Sequence, residues 1–251
     1  DKPLAHRLVD AIAIDHTCRE AGIILSVGHS ARRVQGSRKI KQIMDEGGIG
    51  KLVMAECNFS NDRSLELTPE KWRWYRDRNP GGPLIQLAVH HTDTLHYLFG
   101  PAKSVTCMAK RLYTPAESED VTMTIVEMES GQLCYIGSNW ASQGTFFTYV
   151  YGMNANLYFT VDFNFWSSSD VVDRHSQLEI QHRGSSEHKP IALESGDMFR
   201  EQLEEFGDCI RSRKKPEVGG PEGIAALAVI DAALRSAEQG HTVAIKEVME
   251  G

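Results

Sequence analysis

The sequence is poor in cysteine, and its few cysteines are badly placed for cross-linking. Five cysteines are scattered over 251 residues, and no two of them form a C-x-x-C pair. This spacing disfavours a disulfide-stabilised fold and a zinc knuckle, which need closely paired or evenly matched cysteines. We therefore expect each cysteine to be a small buried hydrophobic residue in a protein of the reducing cytoplasm.

Positive charge and long apolar runs are also scarce. The chain has 27 lysines and arginines against 34 acidic residues, which leaves a formal net charge of -7. An acidic surface does not attract nucleic acids or anionic membranes. No apolar run approaches the roughly 20 residues of a membrane-spanning helix, and no charged-then-apolar leader stands at the first residue. We expect a cytoplasmic protein with neither a nucleic-acid nor a membrane partner.

Several widespread catalytic motifs are missing as well. The sequence contains neither a G-x-G-x-x-G phosphate-binding loop nor a G-x-x-x-x-G-K-[ST] loop. It also lacks the G-x-S-x-G turn that carries the nucleophile of many serine hydrolases, so that class is disfavoured.

Residues 1–48 show one winding of a doubly wound α/β fold. Helical spacing predicts a helix from Leu4 to Cys18, and a second helix is predicted from Ser37 to Gly47. Between them, Ile23–Val27 is a short apolar run that suits a strand buried on both faces. A single helix-strand-helix winding is not a domain by itself.

Residues 49–251 show a different layout, in which a helix precedes a run of strands and two helices close the chain. This order predicts an α+β domain with one large open, mostly antiparallel sheet covered by helices on one face. The predicted strands are Lys51–Phe59, Val105–Leu112, Val121–Met128, Gln132–Trp140, Phe146–Tyr151, Asn156–Val161, Leu178–His182 and Pro190–Leu193. One helix is predicted to begin at Thr68-Pro69. Three further helices are predicted to span Leu84–Leu98, Met198–Arg211 and Pro221–Gln239.

The densest polar cluster follows the Gly81-Gly82 turn. Gln86, His90 and Asp93 are spaced by four and three residues, which places them on one face of a helix. A histidine there can act as a general acid or base, because its ordinary pKa lies near neutrality. Alternatively, the three side chains face solvent or satisfy one another. We predict no metal site, because His90 and His96 are six residues apart and diverge around the helix axis.

Lys2 and the loop Gly28–Arg33 are further candidates for a site. The loop leaves the carboxyl end of the predicted strand, where ligands bind in open α/β sheets. Alternatively, Lys2 is a solvated surface lysine, and the arginines of the loop pair with acidic residues at the surface. Six residues are candidates for lining a pocket, although packing accounts for the tryptophans equally well: Arg32, Trp72, Trp74, Arg76, Asn139 and Trp140.

Five short segments resemble, in this order, motifs of the Gfo/Idh/MocA family, named after glucose-fructose oxidoreductase, inositol 2-dehydrogenase and rhizopine-catabolism proteins. They match the family's E-K-P, V-G-H-x-x-R-R, G-x-I-G, G-G-x-L-x-D-x-G-x-H-x-x-D and E-G-x-x-A-L patterns. In this chain they are Asp1-Lys2-Pro3, Val27–Arg33, Gly47–Gly50, Gly81–Asp93 and Glu222–Leu227. Each motif is weak alone, but five in order span essentially the whole chain.

The resemblance implies a Rossmann domain followed by an α/β domain with a large open sheet. It also implies hydride transfer between NAD or NADP and the hydroxyl or carbonyl carbon of a sugar, amino sugar or cyclitol. By position, Lys2 contacts nicotinamide and substrate, and His90 is the acid/base. Oxidation of an alcohol removes its hydroxyl proton as well as a hydride, so a base must lie within hydrogen-bond reach. Lys2 could also stabilise the developing alkoxide.

We accordingly predict three groups of site residues. The catalytic residues are Lys2, His90 and Gln86. The predicted cofactor contacts are Lys2, His29 and Arg32, and the predicted substrate contacts are Arg33, Trp72, His91 and Asp93.

The chain departs from the family pattern at Gln86, where the family has an aspartate, and at Ala88, where it has a glycine. A neutral amide cannot accept a proton at neutral pH, so proton transfer shifts onto His90 and Lys2, with Asp93 or His91 assisting. Gln86 also favours an alternative function, a non-enzymatic ligand-binding or assembly module derived from such a dehydrogenase.

The family's phosphate-binding loop and ribose-binding acid precede its E-K-P segment, with which this chain begins. We therefore expect residues 1–48 to be the C-terminal remnant of the Rossmann domain and residues 49–251 to form the substrate and oligomerisation domain. We expect this polypeptide alone to bind NAD(P) poorly, because a doubly wound half needs several parallel strands. Apolar strand segments such as Cys134–Ile136 predict a sheet face that a second subunit covers in a homodimer or homotetramer.

Overall fold

A computed structural model describes residues 1–250 of the chain. A single nine-stranded sheet runs through the molecule in the order β8-β7-β6-β5-β1-β4-β3-β2-β9. The strands are β1 (Leu52–Ser60), β2 (Ala102–Lys110), β3 (Val121–Met128), β4 (Leu133–Asn139), β5 (Thr145–Gly152), β6 (Ala155–Val161), β7 (Ser176–His182), β8 (Lys189–Ile191) and β9 (Val243–Ala244). Among these neighbours only β1 and β4 run parallel, so the predicted large, mostly antiparallel sheet is confirmed.

Helices occupy the two ends of the chain and its middle. They are α1 (Leu8–Glu20), α2 (Gln35–Asp45), α3 (Val89–Phe99), α4 (Met198–Ser212), α5 (Gly220–Gln239) and α6 (Ile245–Glu250). The predicted helices from Leu4, Ser37, Met198 and Pro221 therefore form with shifts of a few residues at their ends. No helix among residues 1–250 is long and apolar enough to cross a lipid bilayer.

The inner face of the sheet builds the core because side chains alternate along each strand. On β3, Thr124 and Val126 are buried, whereas Met123 and Ile125 point outward and are exposed. Helix α5 packs on β2 and on α1 and α3. Its buried face is rich in alanine, so the helix backbone approaches the sheet closely.

Two hairpins form where turn residues predict them. Gly131 joins β3 to β4 with a φ of +91°, a conformation that glycine adopts without steric cost. β5 ends at Gly152, and β6 returns beside it with Tyr151 paired to Asn156. Both turns are specified by residues next to each other in the sequence, which is why local patterns predict them.

The segment Ile23–Val27 is not a strand, contrary to the prediction. It runs without regular secondary structure, and the nine-stranded sheet does not include it. Its backbone bonds are isolated, with the Ile23 amide donating to Cys18 and the Val27 amide donating to Val218. A strand requires a ladder with a neighbouring strand, and apolar composition alone cannot provide one.

The helix predicted from Thr68-Pro69 is also absent. The segment holds only a three-residue 3₁₀ turn, Trp72–Trp74, in which the Trp74 N–H donates to the Lys71 carbonyl and the Tyr75 N–H donates to the Trp72 carbonyl. Bulky aromatic residues gain little from a helix, and here their side chains pack or reach a cavity instead. The short elements β9 and α6 were not predicted, because two and six residues are too few to show a period.

The helix predicted at Leu84–Leu98 forms, but its first turn is a π-helical turn, Leu84–Ala88, which continues into α3. The Gly81-Gly82 turn before it has φ values of +75° and +51°. A Cβ added at Gly82 would lie 2.0 Å from the carbonyl oxygen of Glu119. Gly82 is therefore required both by its conformation and by close backbone approach.

We predict that Gly82→Ala destabilises the protein by about 3 kcal/mol, because strain at positive φ adds to the clash with Glu119. Gly131→Ala is the matched control, since its φ is also positive but its added Cβ meets open space. Gly131→Ala should lower the free energy of unfolding by only about 1–2 kcal/mol. Urea unfolding measures both free energies. Equal losses in the two variants would contradict the proposed backbone contact.

Candidate active site

A cavity of about 580 Å³ is lined by residues from six parts of the chain. Its wall is formed by residues 1–6, the Gly28–Ser30 loop, the segment from residue 59 to 78, the π-helical turn with the start of α3, the turn after β6, and Phe199 at the start of α4. Of the nine predicted site residues, four line the cavity: Lys2, Trp72, Gln86 and His90.

Lys2 joins the start of the chain to the π-helical turn. Its Nζ donates a hydrogen bond to the backbone carbonyl of Gln86. Burial, followed by the positive charges of Arg73 and Arg63, lowers the pKa of the Lys2 amine to about 8. An amine with this pKa exists in both protonation states near physiological pH, which is what a proton-transfer group requires.

His90 lies at the cavity wall in an aromatic surrounding. Its ring centroid is 5.5 Å from that of Phe59 and 5.4 Å from that of Trp166, and its Nδ1 is buried without a hydrogen-bond partner. Burial, together with the nearby Lys2, His29 and His91, lowers the pKa of His90 well below its ordinary value. The ring is therefore neutral near pH 7 and a weak base.

Gln86 lies between two cationic groups. Its backbone carbonyl accepts from Lys2, and its side-chain Oε1 lies 3.4 Å from Nε of Arg73, which donates to it. The amide thus links the amine of the site to a guanidinium group of the cavity wall.

Arg32, Arg33 and Asp93 lie outside the cavity lining, in a buried network of ion pairs. Arg32 donates to Asp93 through Nε and Nη2 at 2.8 and 2.5 Å. Arg33 pairs with Glu201 at 2.9 Å and with Glu205 at 2.5 Å. Burial raises the pKa of the Asp93 carboxyl despite its pairing with Arg32. Arg32, Arg33 and Asp93 thus have charged partners within the protein and do not line the cavity. Their contacts with cofactor or substrate stay predictions.

His29 and His91 are buried behind the cavity wall. Nε2 of His91 donates to the Asn58 carbonyl at 3.0 Å, the ring lies against Phe146, and burial lowers its pKa to about 4. Neither ring nitrogen of His29 has a hydrogen-bond partner, and burial beside Arg32 lowers its pKa to about 3. Neither histidine belongs to the cavity lining, so their ligand contacts stay predictions.

Of the six residues predicted to line a pocket, only Trp72 lines the cavity. Besides Arg32, described above, the four others lie elsewhere. Trp140 is fully buried in the core, and Trp74 packs against the same core. Asn139 hydrogen-bonds Ser60, and Arg76 pairs with Glu119 and Glu238 near the surface. Packing and pairing therefore explain these four residues.

Several residues of the cavity wall were not predicted from the sequence. Arg63, Arg73 and Arg78 contribute guanidinium groups, and Phe163 and Trp166 contribute aromatic rings. The alternation of arginine with tryptophan and tyrosine between residues 63 and 78 was the available signal. Because these residues lie in irregular segments, no helical or strand period marked which of them face inward.

The described residues, 1–250, contain no cluster of three histidine, cysteine, aspartate or glutamate side chains arranged to hold a metal ion. All five cysteines are free; Cys18 is half-buried and the other four are buried, as expected of small hydrophobic residues.

The family description "GFO/IDH/MocA C-terminal domain" matches residues 37–158. The crystal structure of a Desulfitobacterium hafniense protein described as an NADPH-dependent oxidoreductase is 39% identical, with a TM-score of 0.95, over 99% of this chain and 72% of that one. The 1,5-anhydro-D-fructose reductase of Ensifer adhaerens is 24% identical over 98% of this chain and 72% of the reductase. The myo-inositol 2-dehydrogenase of Thermotoga maritima is 23% identical over 99% of this chain and 72% of its own length.

The fold is also that of levoglucosan dehydrogenase in complex with NADH, with a TM-score of 0.82 at 18% identity. Fold and relatives together define a nicotinamide-dependent oxidoreductase, which supports the enzymatic interpretation over a non-enzymatic module. The chain belongs to the Gfo/Idh/MocA family.

We predict that Asp93→Ala destabilises the protein by about 3–5 kcal/mol, because it leaves the Arg32 guanidinium buried without its carboxylate. Asp10→Ala, which breaks the exposed Arg7–Asp10 pair, is the control and should change stability little. Urea denaturation of both variants measures the difference. An Asp93→Ala protein as stable as the parent would show that the network does not hold these elements together.

Proposed function

We propose that the protein transfers a hydride between NAD or NADP and the hydroxyl or carbonyl carbon of a sugar, amino sugar or cyclitol. The observation that carries this proposal is the meeting of Lys2 and His90 at the wall of one cavity. The amine of Lys2 titrates near pH 8, and the ring of His90 stays neutral. Proton transfer to and from an alcohol oxygen requires such groups.

The cavity wall at Lys2, Gly28 and Ser30 fits a nicotinamide ring with its carboxamide, because it offers an amine, a hydroxyl and a residue without a side chain. When bound, the nicotinamide supplies the hydride acceptor or donor. This assignment keeps Lys2 as a cofactor contact, whereas His29 lies behind the cavity wall.

The proposed division of labour follows from the pKa values of the two groups. Lys2 accepts the hydroxyl proton at Nζ during oxidation and returns it during reduction. The Gln86 carbonyl holds that amine in place. His90, neutral and weakly basic, orients the reacting hydroxyl by a hydrogen bond. Phe59 and Trp166 exclude water around His90, which strengthens these polar contacts.

Residues 1–48 and 49–251 are proposed as the end of the cofactor-binding domain and the substrate domain. The outer face of the sheet supports a homodimer or homotetramer. It exposes a band of apolar side chains on four adjacent strands: Met54, Met108, Met123, Ile125 and Leu133. Free cysteines support a cytoplasmic location.

We predict that alcohol oxidation rises with pH through an inflection near 8, because Lys2 must lose its proton before it can act as a base. Carbonyl reduction should fall through the same inflection, because there Lys2 must carry the proton. Lys2→Met should lower kcat by about 10²–10⁴-fold. Initial rates from pH 6 to 10 measure both directions.

Lys2→Arg is the control for charge, since arginine stays protonated over this range. It should lose the inflection near pH 8 while remaining folded, as judged by circular dichroism. An unchanged pH profile in Lys2→Arg would remove Lys2 from proton transfer.

We predict that Ile125→Glu dissociates the oligomer, because it buries an unpaired carboxylate in the covered sheet face. Leu203→Glu, an equally apolar exposed residue on α4, is the control and should leave the molar mass unchanged. Light scattering after size exclusion measures the mass. A parent protein that is already monomeric, or an Ile125→Glu variant of unchanged mass, would contradict assembly through this face.

A further inference from the structure

The cavity concentrates positive charge in a protein of net negative charge. Arg63, Arg73 and Arg78 line it beside Lys2, and Asp1 is the only acidic side chain in its wall. The Asp1 carboxylate accepts from the Lys2 backbone amide at 2.7 Å. Among residues 1–250, these three arginines have no carboxylate within ion-pair distance.

Among residues 1–250, the other arginines that are buried or half-buried have carboxylate partners. Arg32, Arg33 and Arg38 all have carboxylate partners, and so does the more exposed Arg76. An exposed arginine without a partner is ordinary, and Arg63 and Arg78 at the cavity mouth are exposed. Arg73 differs, because it is half-buried and still lacks a carboxylate.

The Arg73 guanidinium is held in place by neutral groups. Its centre lies 4.3 Å from the ring centroid of Trp72, and its Nε donates to the Gln86 side chain at 3.4 Å. A guanidinium that is stacked on an aromatic ring keeps its outer N–H groups aligned for a planar oxyanion. Arg73 is thus oriented before any anion binds.

Repulsion between these cations also has a measurable consequence. Burial, followed by the charge of Arg63, lowers the pKa of Arg73. Burial also lowers the pKa of Lys2, and the charges of Arg73 and Arg63 lower it further. A bound anion would relieve this repulsion.

Resting on the function proposed above, we infer that the substrate is an anionic polyhydroxylated compound, a sugar acid or a sugar phosphate. Arg73 and Arg63 hold its oxyanion while its reacting hydroxyl meets Lys2 and His90. Arg78 adds positive charge at the mouth, which attracts the anion. The aromatic rings of Trp72 and Phe163 contact the carbon skeleton.

A cofactor phosphate is the competing occupant of these arginines. Two observations place the arginines on the substrate side. Arg73 and Lys2 share Gln86 as a hydrogen-bond partner, so Arg73 adjoins the proton-transfer group itself. Gly28 and Ser30, which are assigned to the nicotinamide, belong to a different segment of the chain from Arg63, Arg73 and Arg78.

The test compares matched probes on the whole protein. D-glucuronate, D-gluconate and glucose 6-phosphate are each set against D-glucose, in calorimetric binding and in NAD(P)-linked turnover. At least one anionic probe should bind about 10-fold or more tightly than glucose. Arg73→Gln and Arg63→Gln should each reduce that preference about 10-fold or more, whereas Arg183→Gln, an exposed arginine on a distant turn, should retain it.

A second readout follows from the relief of repulsion. The pH profile of kcat/KM reports the free enzyme and should show the inflection near pH 8. The pH profile of kcat reports the enzyme with the anionic substrate bound, and its inflection should lie at higher pH. The shift should disappear in Arg73→Gln. A merely structural arginine would alter the melting temperature without removing this shift.

The outcomes separate the two proposals. Turnover that prefers glucose, or equal binding of glucose and every anionic probe, overturns the anion site and leaves the oxidoreductase function standing. Anion binding that depends on Arg73 without any NAD(P)-linked turnover supports the anion site against the proposed function. A rise in the KM for NAD(P) alone in the arginine variants assigns them to the cofactor and overturns the inference.

Discussion

The hydrogen bond from Lys2 Nζ to the Gln86 carbonyl is the constraint on which the site depends. It ties the start of the chain to a π-helical turn that begins after a two-glycine bend. Such turns recur at functional sites because they interrupt the regular helical ladder. The bond places an amine, a neutral histidine and a glutamine within one cavity, although residues 2 and 86 are far apart in sequence. The pKa of Lys2 follows from this placement, since only a buried amine beside two arginines is displaced so far from its ordinary value.

A second group of charges supports that arrangement without taking part in it. The Arg32–Asp93 pair connects the loop after residue 28 to α3, the helix that carries His90. Arg33 and Arg38 extend the contacts to α4 and to Glu217. Charges buried in this way rarely add stability relative to apolar residues, but they permit one geometry and penalise others. The network therefore contributes to the site by fixing the helix from which His90 projects.

The sequence predicted the site best where a local pattern or a family motif carried it. Lys2, Gln86 and His90 belong to such motifs, and the hairpin at Gly131 follows from neighbouring turn residues. The interaction partners of Arg32 and Asp93 were not predictable, because the sequence is the same whether these side chains bind a ligand or each other. Ile23–Val27 has the composition of a strand but lacks a neighbour, and Arg73 lies in an irregular segment where no period reveals its direction. These failures concern contacts between distant residues, which composition and spacing do not encode.

Electrostatics joins specificity to chemistry in this cavity. The chain is acidic as a whole, and its other buried or half-buried arginines pair with carboxylates. Arg73 is therefore a half-buried cation without an acidic partner among residues 1–250, and it lies beside Lys2. Burial is the main reason that the pKa of Lys2 is low, and the charge of Arg73 lowers it further. An anion bound by Arg73 would neutralise that second contribution, so the basicity of Lys2 would rise while such a ligand is present. A neutral sugar would leave Lys2 at its lower basicity. The same guanidinium would therefore select the substrate and adjust the proton-transfer group, which couples recognition to catalysis through charge alone.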